Sequence, residues 1–465
     1  DVAAEGDSGL TTFSGESEPE SRTIRLADPV SSAIKLKSVG LYLVLIVAAW
    51  GWMRAVQHSA PMVHREVKPF WVLYDSGSSG YFLEAAFGMD SVDEFLAGYE
   101  DRMKQGEVLH VGTHPPGLFL LAKACLEACE SSPTLVEVLS DIRFEPHEAA
   151  FRFVESEAEF GPKLDETQLA ALQLLGMLST LAVVLTIVPL AVLSNWLLGR
   201  QTAWMVCCLW ATLPCLAVFL PKSDLLFPLT CTAVLAFVVP QRSHWISGAC
   251  AAVAGLVLFA GLLLSLAHLP VIAFLAAYVT VVGIQTRGAS LLSDVAKLIL
   301  ALSAAAVTGL VFSRWTGCDI FGIWRWNLTN HEAFYAQFER TYGKWLIVNP
   351  LELGLAVGLP VFVAALLAFR SSVAGFFRRR PMRQSAASAF CVAVFATIGA
   401  LWLSGKNQGE AARLWCFLTP WLVIAVGYWL QRLSIRDEST QWQRLLLAQL
   451  LVCLLIVSRV SGFLF

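Results

Sequence analysis

Long apolar runs, one after another, constrain this chain more than any other feature. A helix crossing a bilayer needs roughly 20 apolar residues, and lipid leaves its backbone polar groups no partner outside the element. Such runs fall at 39–57, 169–194, 201–220, 223–239, 245–263, 266–284, 291–312, 347–369, 386–404, 416–431 and 444–463. The rest of the composition agrees: 56% of the 465 residues are hydrophobic, 15% are charged, and mean hydropathy is +0.63. The expected fold class is therefore an all-α polytopic membrane protein with about eleven transmembrane helices. A net charge of −3, scattered along the chain, gives no footing for a nucleic-acid partner. The eleven cysteines lie mostly within apolar runs and read as small buried hydrophobes rather than a disulfide framework.

Basic residues in short loops set the orientation, since Lys and Arg stay cytoplasmic. Arg370, Arg378, Arg379, Arg380 and Arg383 crowd one loop, which is thereby assigned inside. Counting back puts Arg200 inside, PKSD at 221–224 outside, and the whole of 58–166 outside; Arg22, Arg25, Lys35 and Lys37 then lie inside, as the rule requires. Residues 1–37 are polar and lack an apolar period, so they are expected to form a disordered tail, with no cleaved signal peptide. Residues 38–465 then form one transmembrane domain that includes the loop 58–166.

That loop holds 20 acidic and 8 basic residues and five of the eight histidines. Near its start Asp75 precedes Gly77, Ser78, Ser79 and Gly80, residues that let a chain turn sharply, and Tyr81–Phe87 is expected to form a surface helix. Further on, HVGTHPPGLFLL places His114, Pro115 and Pro116 ahead of an apolar run. The run is too short to span and is interrupted by Lys123 and Glu127, and a crossing there would break the orientation count. Residues 117–130 are therefore expected to lie as an amphipathic surface helix, with Lys123, Glu127 and Glu130 toward water or headgroups. Proline is tolerated in a first turn, and the pair stiffens the approach so that His114 is held in place.

An acidic residue early in the first outer loop, a surface helix, an HPP tripeptide opening a second surface helix, and then a bundle of spans resemble the GT-C membrane glycosyltransferases. The branch is that of the protein O-mannosyltransferases and lipid A aminoarabinose transferases. The motifs cover the first third of the chain, and the remainder is similar only in hydropathy. Three departures stand out: Ser76 replaces the usual Glu, residues 131–166 form an acidic insertion, and the last third carries no family motif. The resemblance implies transfer of a sugar from a polyprenyl-phosphate donor to a hydroxyl of a lipid, glycan or protein acceptor. It further implies a multi-pass protein of the bacterial cytoplasmic (inner) membrane with its active site facing outside. A phosphate leaving group needs no proton, so one general base suffices, and Asp75 occupies that position. No cofactor is assigned; metal dependence varies within the family, leaving a divalent ion open. His110 and His114 have metal-ligand spacing, but Gly112 and Pro115 oppose a helix there, and no metal residue is assigned.

Candidate donor- and substrate-binding residues are His114, Pro115 and Tyr81, with cations and their neighbours from two later outer loops. Residues 313–345 offer Arg325 and His331 among Trp324, Trp326, Tyr335 and Tyr342, and residues 402–415 offer Lys406, Glu410 and Arg413. Guanidinium forks suit phosphate, and aromatic rings suit sugars but equally an interfacial belt. Snorkelling at helix ends explains Lys406 and Arg413 as well as phosphate binding does. Asn327-Leu328-Thr329 is a glycosylation sequon, relevant only in a eukaryotic secretory setting. Two other readings stay open: a transporter or lipid flippase, and a catalytically inactive GT-C relative. The absence of an internal repeat and the paucity of charge within spans favour a surface enzyme over a transporter.

Overall fold

The computed structural model describes residues 32–61, 68–75, 77–109, 111–143, 162–241, 243–288, 290–376, 382–433 and 435–460. The chain divides into two units, residues 1–43 and 44–465. In the first, the described residues open helix α1 (Ser32–Gln57), so helix begins inside the stretch expected to be tail; residues 1–31 lie outside the described residues.

Within the second unit every regular element among the described residues is helical. The segment before the main bundle contains α2 (Lys68–Tyr74), a short turn at Tyr81–Leu83 running into a π-helical turn at Glu84–Gly88, α3 (Val92–Lys104), α4 (Gly117–Glu130) and α5 (Pro133–Asp141). The bundle follows as α6 (Glu166–Leu185), α7 (Ile187–Leu198), α8 (Arg200–Ala211), α9 (Phe227–Val238), α10 (His244–Leu264), α11 (Leu269–Thr286) and α12 (Leu291–Thr316). Then come α13 (Ile320–Gln337), α14 (Tyr342–Val357), α15 (Leu359–Phe376), α16 (Met382–Ser404), α17 (Thr419–Leu430) and α18 (Ile435–Val457).

Eight helices among the described residues are long and apolar enough to cross a membrane: Val39–Gln57, Glu166–Leu198, Arg200–Val218, His244–Leu264, Leu266–Thr286, Leu291–Thr316, Ser385–Ser404 and Thr440–Val457. This is a multi-pass integral membrane protein. Two of the eleven expected spans are the shorter helices Ser223–Val238 and Cys416–Leu430. Both are packed within protein, and α17 is buried along nearly its whole length, so contact with other helices rather than lipid thickness sets their extent. The expected straight span at 347–369 needs correction. Its two halves, Tyr342–Val357 and Leu359–Ala374, meet at 115° around Gly358, whose φ is 83°. The break leaves backbone carbonyls needing a donor, and the buried Gln449 of α18 supplies one: its Nε2 donates to Val357 O at 2.7 Å and to Thr212 O at 3.2 Å. A Cβ at position 358 would stand 2.5 Å from that nitrogen. Together, bend and bond require glycine there.

Helix α4 has the expected bounds and is not among the spans. Ala122, Cys125, Leu126 and Cys129 pack on Ala170, Ala171, Leu172 and Leu175 of α6, while Glu127 and Glu130 are exposed. Lys123 departs from expectation: it is half-buried, and its ammonium donates to Met89 O at 2.9 Å. A capping box fixes the start of α6, with Asp165 Oδ1 accepting from Gln168 N at 2.8 Å and Gln168 Oε1 from Asp165 N at 2.9 Å. The cysteines are unpaired and mostly buried. One ion pair sits inside a span, Lys297 Nζ to Asp294 Oδ1 at 2.6 Å, joined by Gln241 Nε2 at 2.8 Å.

Candidate active site

Three backbone N–H groups converge on one carbonyl where α2 ends. Ser78, Ser79 and Gly80 donate to Asp75 O at 3.1, 3.0 and 3.2 Å, and Ser79 Oγ donates to Val72 O at 2.9 Å and Leu73 O at 3.2 Å. The hydroxyl thus satisfies carbonyls that α2 would otherwise leave bare. Gly80 takes the left-handed conformation (φ 72°) and drives Tyr81 and Phe82 into the core. The Asp75 carboxylate is half-buried, and a Cβ at Gly77 would come 3.1 Å from its Oδ2.

The second motif is clamped from two sides. Glu107 accepts from Leu109 N at 2.7 Å and Gly112 N at 2.6 Å, so one carboxylate holds both backbone amides. Tyr99 of α3 donates its hydroxyl to His114 O at 2.8 Å. From α13, Asn327 Nδ2 donates to Gly112 O at 3.0 Å and His114 O at 3.2 Å, and Asn330 Nδ2 to Met103 O at 3.0 Å and Gly112 O at 2.8 Å. Asn327 is 1% exposed; buried and bonded, it is no glycosylation acceptor in the folded chain. Pro115 and Pro116 are buried and lead into α4, whose first residue, Gly117, lies so near α10 that a Cβ would sit 2.4 Å from Leu263 O. His114 is thereby fixed, with its ring edge-on to Tyr81 at 5.6 Å and Nδ1 3.1 Å from Thr113 Oγ1.

Charge comes to this place from two further loops. Lys222, 3% exposed, donates its ammonium to Ser78 O, inside the Asp75 turn. Arg413 pairs with Glu410 and stands 3.9 Å from Asp224 Oδ2. Burial first, and then the neighbouring Arg413, lower the Lys222 pKa to about 7 against the opposing pull of Asp224, Glu410 and Asp75. Burial alone would lower the pKa of Arg413, but Asp224 and Glu410 outweigh it and raise the value. Burial, then Asp224, push the Tyr81 phenol well up, so it stays a neutral donor. Asp75, Tyr81, His114, Lys222, Asp224, Glu410 and Arg413 are thus linked through contacts and shared electrostatic neighbours.

Other expected residues stand apart. The stretch 313–345, expected as a loop, is largely helix: α12 runs to Thr316, and α13 covers Ile320–Gln337. Arg325 is exposed on α13 and has no ion-pair partner among the described residues; Asn327 and Asn330 of the same helix are buried against the His114 loop. His331 packs edge-on to Tyr335 at 5.4 Å, and its pKa is lowered by burial, then by Lys406. Tyr335 donates to Lys406 O and accepts from Gln408 N at 3.2 Å, while the ammonium of Lys406 reaches, among the described residues, only the exposed Glu332, at 3.8 Å. The aromatic residues do structural work: Trp326 Nε1 donates to Glu100 Oε1 at 3.3 Å, Tyr342 to Leu403 O at 2.8 Å, and Arg340 lies over Phe334 and Trp345. Glu84 is bound by both nitrogens of the Arg102 fork, with Nη2–Oε2 at 2.6 Å. Lys222 is the functional candidate that sequence reasoning missed. Its signal was a PKSD tetrapeptide between two apolar runs. Among the described residues no group of three or more His, Cys, Asp or Glu is placed to hold a metal ion.

No protein-family model and no curated protein sequence matches the chain. Among solved structures, the Archaeoglobus fulgidus oligosaccharyltransferase in its apo form superposes with a TM-score of 0.54 at 13% identity, over 90% of this chain and 56% of that one. ArnT from Cupriavidus metallidurans in the apo state matches with a TM-score of 0.48 at 15% identity, over 88% of this chain and 62% of that one. The chain therefore spans little more than half the length of the oligosaccharyltransferase whose fold it shares. At 13% identity the likeness extends to the fold, and it is the fold of the kind of membrane protein that the order of motifs led us to expect.

Proposed function

We propose that this GT-C chain is a membrane glycosyltransferase that moves a sugar from a polyprenyl-phosphate donor to an acceptor hydroxyl at the extracytoplasmic face. The observation that carries this reading is that the buried Lys222 binds the Asp75 turn while Arg413, largely enclosed, stands 3.9 Å from Asp224, two residues from Lys222. In the reaction the acceptor oxygen bonds to the anomeric carbon, the bond from that carbon to the phosphate oxygen breaks, and its electron pair stays on the phosphate. Asp75 takes the acceptor proton. Arg413 and Lys222 hold the phosphate, most strongly as charge grows on the departing oxygen in a partly desolvated site. A phosphate beside Lys222 also favours its ammonium over the amine that burial promotes. His114 and Tyr81 form a fixed wall for the sugar, while Glu410 holds the Arg413 fork before the donor arrives.

Glu84, bound to Arg102 through both oxygens, is poorly suited to serve as the base. The test is Asp75→Asn on purified protein in lipid with a prenyl-phosphate sugar donor. General-base catalysis is worth about 10²–10⁴-fold, so turnover is expected to fall at least about a hundredfold with donor binding little changed. Turnover within a few-fold of the parent would remove Asp75 from this role and shift it to Asp224, 3.9 Å from Arg413.

A further inference from the structure

A charged cavity lies between α15 and α17, at the end of segment 416–430 farther along the chain from Arg413. It measures about 330 Å³ and is lined by Leu367, Arg370, Ser371, Ala374, Trp429 and Arg432. Two of its six lining residues are arginines and none is acidic. Arg432 is aimed by its neighbours: Nη1 donates to Tyr428 Oη at 2.8 Å and Ser371 O at 3.4 Å, and the guanidinium lies over the Tyr428 ring, 5.4 Å from its centre. Nε and Nη2 have no acceptor among the described residues. Arg370 is exposed and likewise has no ion-pair partner there.

A plain structural explanation would have both arginines answering the carbonyls at two helix C-termini. It accounts for the bond from Arg432 to Ser371 O but for none of the donors that remain. Nor does the sequence nearby balance the charge: segments 370–383 and 431–438 hold Arg370, Arg378, Arg379, Arg380, Arg383, Arg432 and Arg436 against Asp437 and Glu438. Two guanidinium forks beside a serine and an indole have the chemistry of a phosphate site at a membrane interface. Apolar surface continues away from it along α15, where Val363, Leu366 and Leu367 are exposed. Acyl chains would follow that surface while their headgroup met the arginines.

We propose that this cavity binds the phosphate of an anionic membrane lipid, at the end of the bundle that the arginine-rich loop assigns to the cytoplasm. The assignment is independent of the glycosyltransferase reading, since none of its residues touches the Asp75 site. Native mass spectrometry of the intact chain, titrated with phosphatidylglycerol, phosphatidylcholine or inorganic phosphate, tests it. The parent is expected to retain phosphatidylglycerol over phosphatidylcholine. Affinity should drop about fivefold in Arg370→Gln and about thirtyfold in Arg370→Gln/Arg432→Gln, as expected when one interfacial charge contact is lost at each step. Displacement of the lipid by millimolar inorganic phosphate would keep the phosphate chemistry but make the free ion its source. Arg370 makes no hydrogen bond among the described residues, so the single variant reports even where the double variant misfolds. Equal retention of phosphatidylglycerol by parent and Arg370→Gln overturns the proposal. So does an Arg370→Gln protein that loses stability in phosphatidylcholine alone, the result expected if the guanidinium serves the fold rather than a lipid.

Discussion

The clamp on the HPP loop can be dissected because its carbonyls are covered twice. Asn327→Leu removes the hydrogen bonds to Gly112 O and His114 O, each worth about 0.5–1.5 kcal/mol net, and a weak one to Met103 Sδ at 3.2 Å. Neither carbonyl is then left bare, since Asn330 still serves Gly112 O and Tyr99 still serves His114 O. The change also removes Asn327 Oδ1, which is buried without a hydrogen-bond partner. A modest loss of about 1–2 kcal/mol should follow. In Asn327→Leu/Asn330→Leu, by contrast, Gly112 O loses both side-chain donors. Its desolvation cost of about 1–3 kcal/mol then appears as coupling beyond the sum of the single variants. Asn327→Asp should be worse than Asn327→Leu, because it turns a buried carboxylate toward two carbonyl oxygens. Unfolding midpoints of the purified proteins in one detergent, scanned at one rate, give the ranking. Strict additivity of the two leucine changes, or an aspartate tolerated as well as leucine, would refute this account of the clamp.

Three further perturbations separate charge from packing. Because the Lys222 pKa is lowered to about 7 from an ordinary 10.5, the unfolded chain binds the extra proton between those values. This residue's penalty on folding is full below pH 7 and relieved as pH rises toward 10.5; donor affinity should move the other way, weakening about tenfold per pH unit above 7, and Lys222→Met should flatten both profiles. Alanine at Arg413 should weaken donor binding, measured by titration, with partial rescue by lysine if the phosphate is held by both prongs of the fork. Alanine at Arg325 or Lys406 should leave donor binding within about twofold, as for exposed charges with little or no pairing, and a large loss at either would place it in the site. Gly117→Ala should lower the unfolding midpoint, since its methyl would press on Leu263 O and the contact is backbone against backbone; an unchanged midpoint would show that α4 can slide away from α10.

How much was legible depended on whether the cause was local. Apolar runs and helix α4 could be read because their signals are local: long stretches without charge for the runs, and a proline pair opening a short, charge-interrupted apolar stretch for the helix. The bend at Gly358 had a local signal, Gly358-Leu359-Pro360, that the reading of 347–369 as one span passed over; only the group that satisfies it, Gln449, lies far off, 91 positions later. Lys222 was visible as a charge between apolar runs, but its meaning rests on Ser78, 144 positions earlier. Arg325 and Arg413 look alike in sequence, each a guanidinium near tryptophan in a polar stretch; the fold leaves one exposed and encloses the other between Asp224 and Glu410. The aromatic residues of 313–345 were ambiguous for the same reason, because an indole that docks on Glu100 and one that stacks on a sugar have identical local context.

The amide of Gln449 has a consequence for biosynthesis. On a ribosome that delivers the chain from its N-terminus, α14 and α15 enter the membrane well before α18 exists. Until then the turn at Gly358 lacks the Nε2 donor that serves Val357 O, and an unserved carbonyl in lipid costs several kcal/mol. Pro360 has no N–H to give Ala356 O and its ring opposes a continuous helix through 342–374, so the bend can form as soon as α14 and α15 exist. Docking of α18 then adds the amide that serves Val357 O and fixes the turn. Gln449→Leu should therefore keep the bend but lower the unfolding midpoint, and a crosslink between positions 349 and 407, neighbours through the 2.6 Å bond from Asn349 Nδ2 to Asn407 O, should still form.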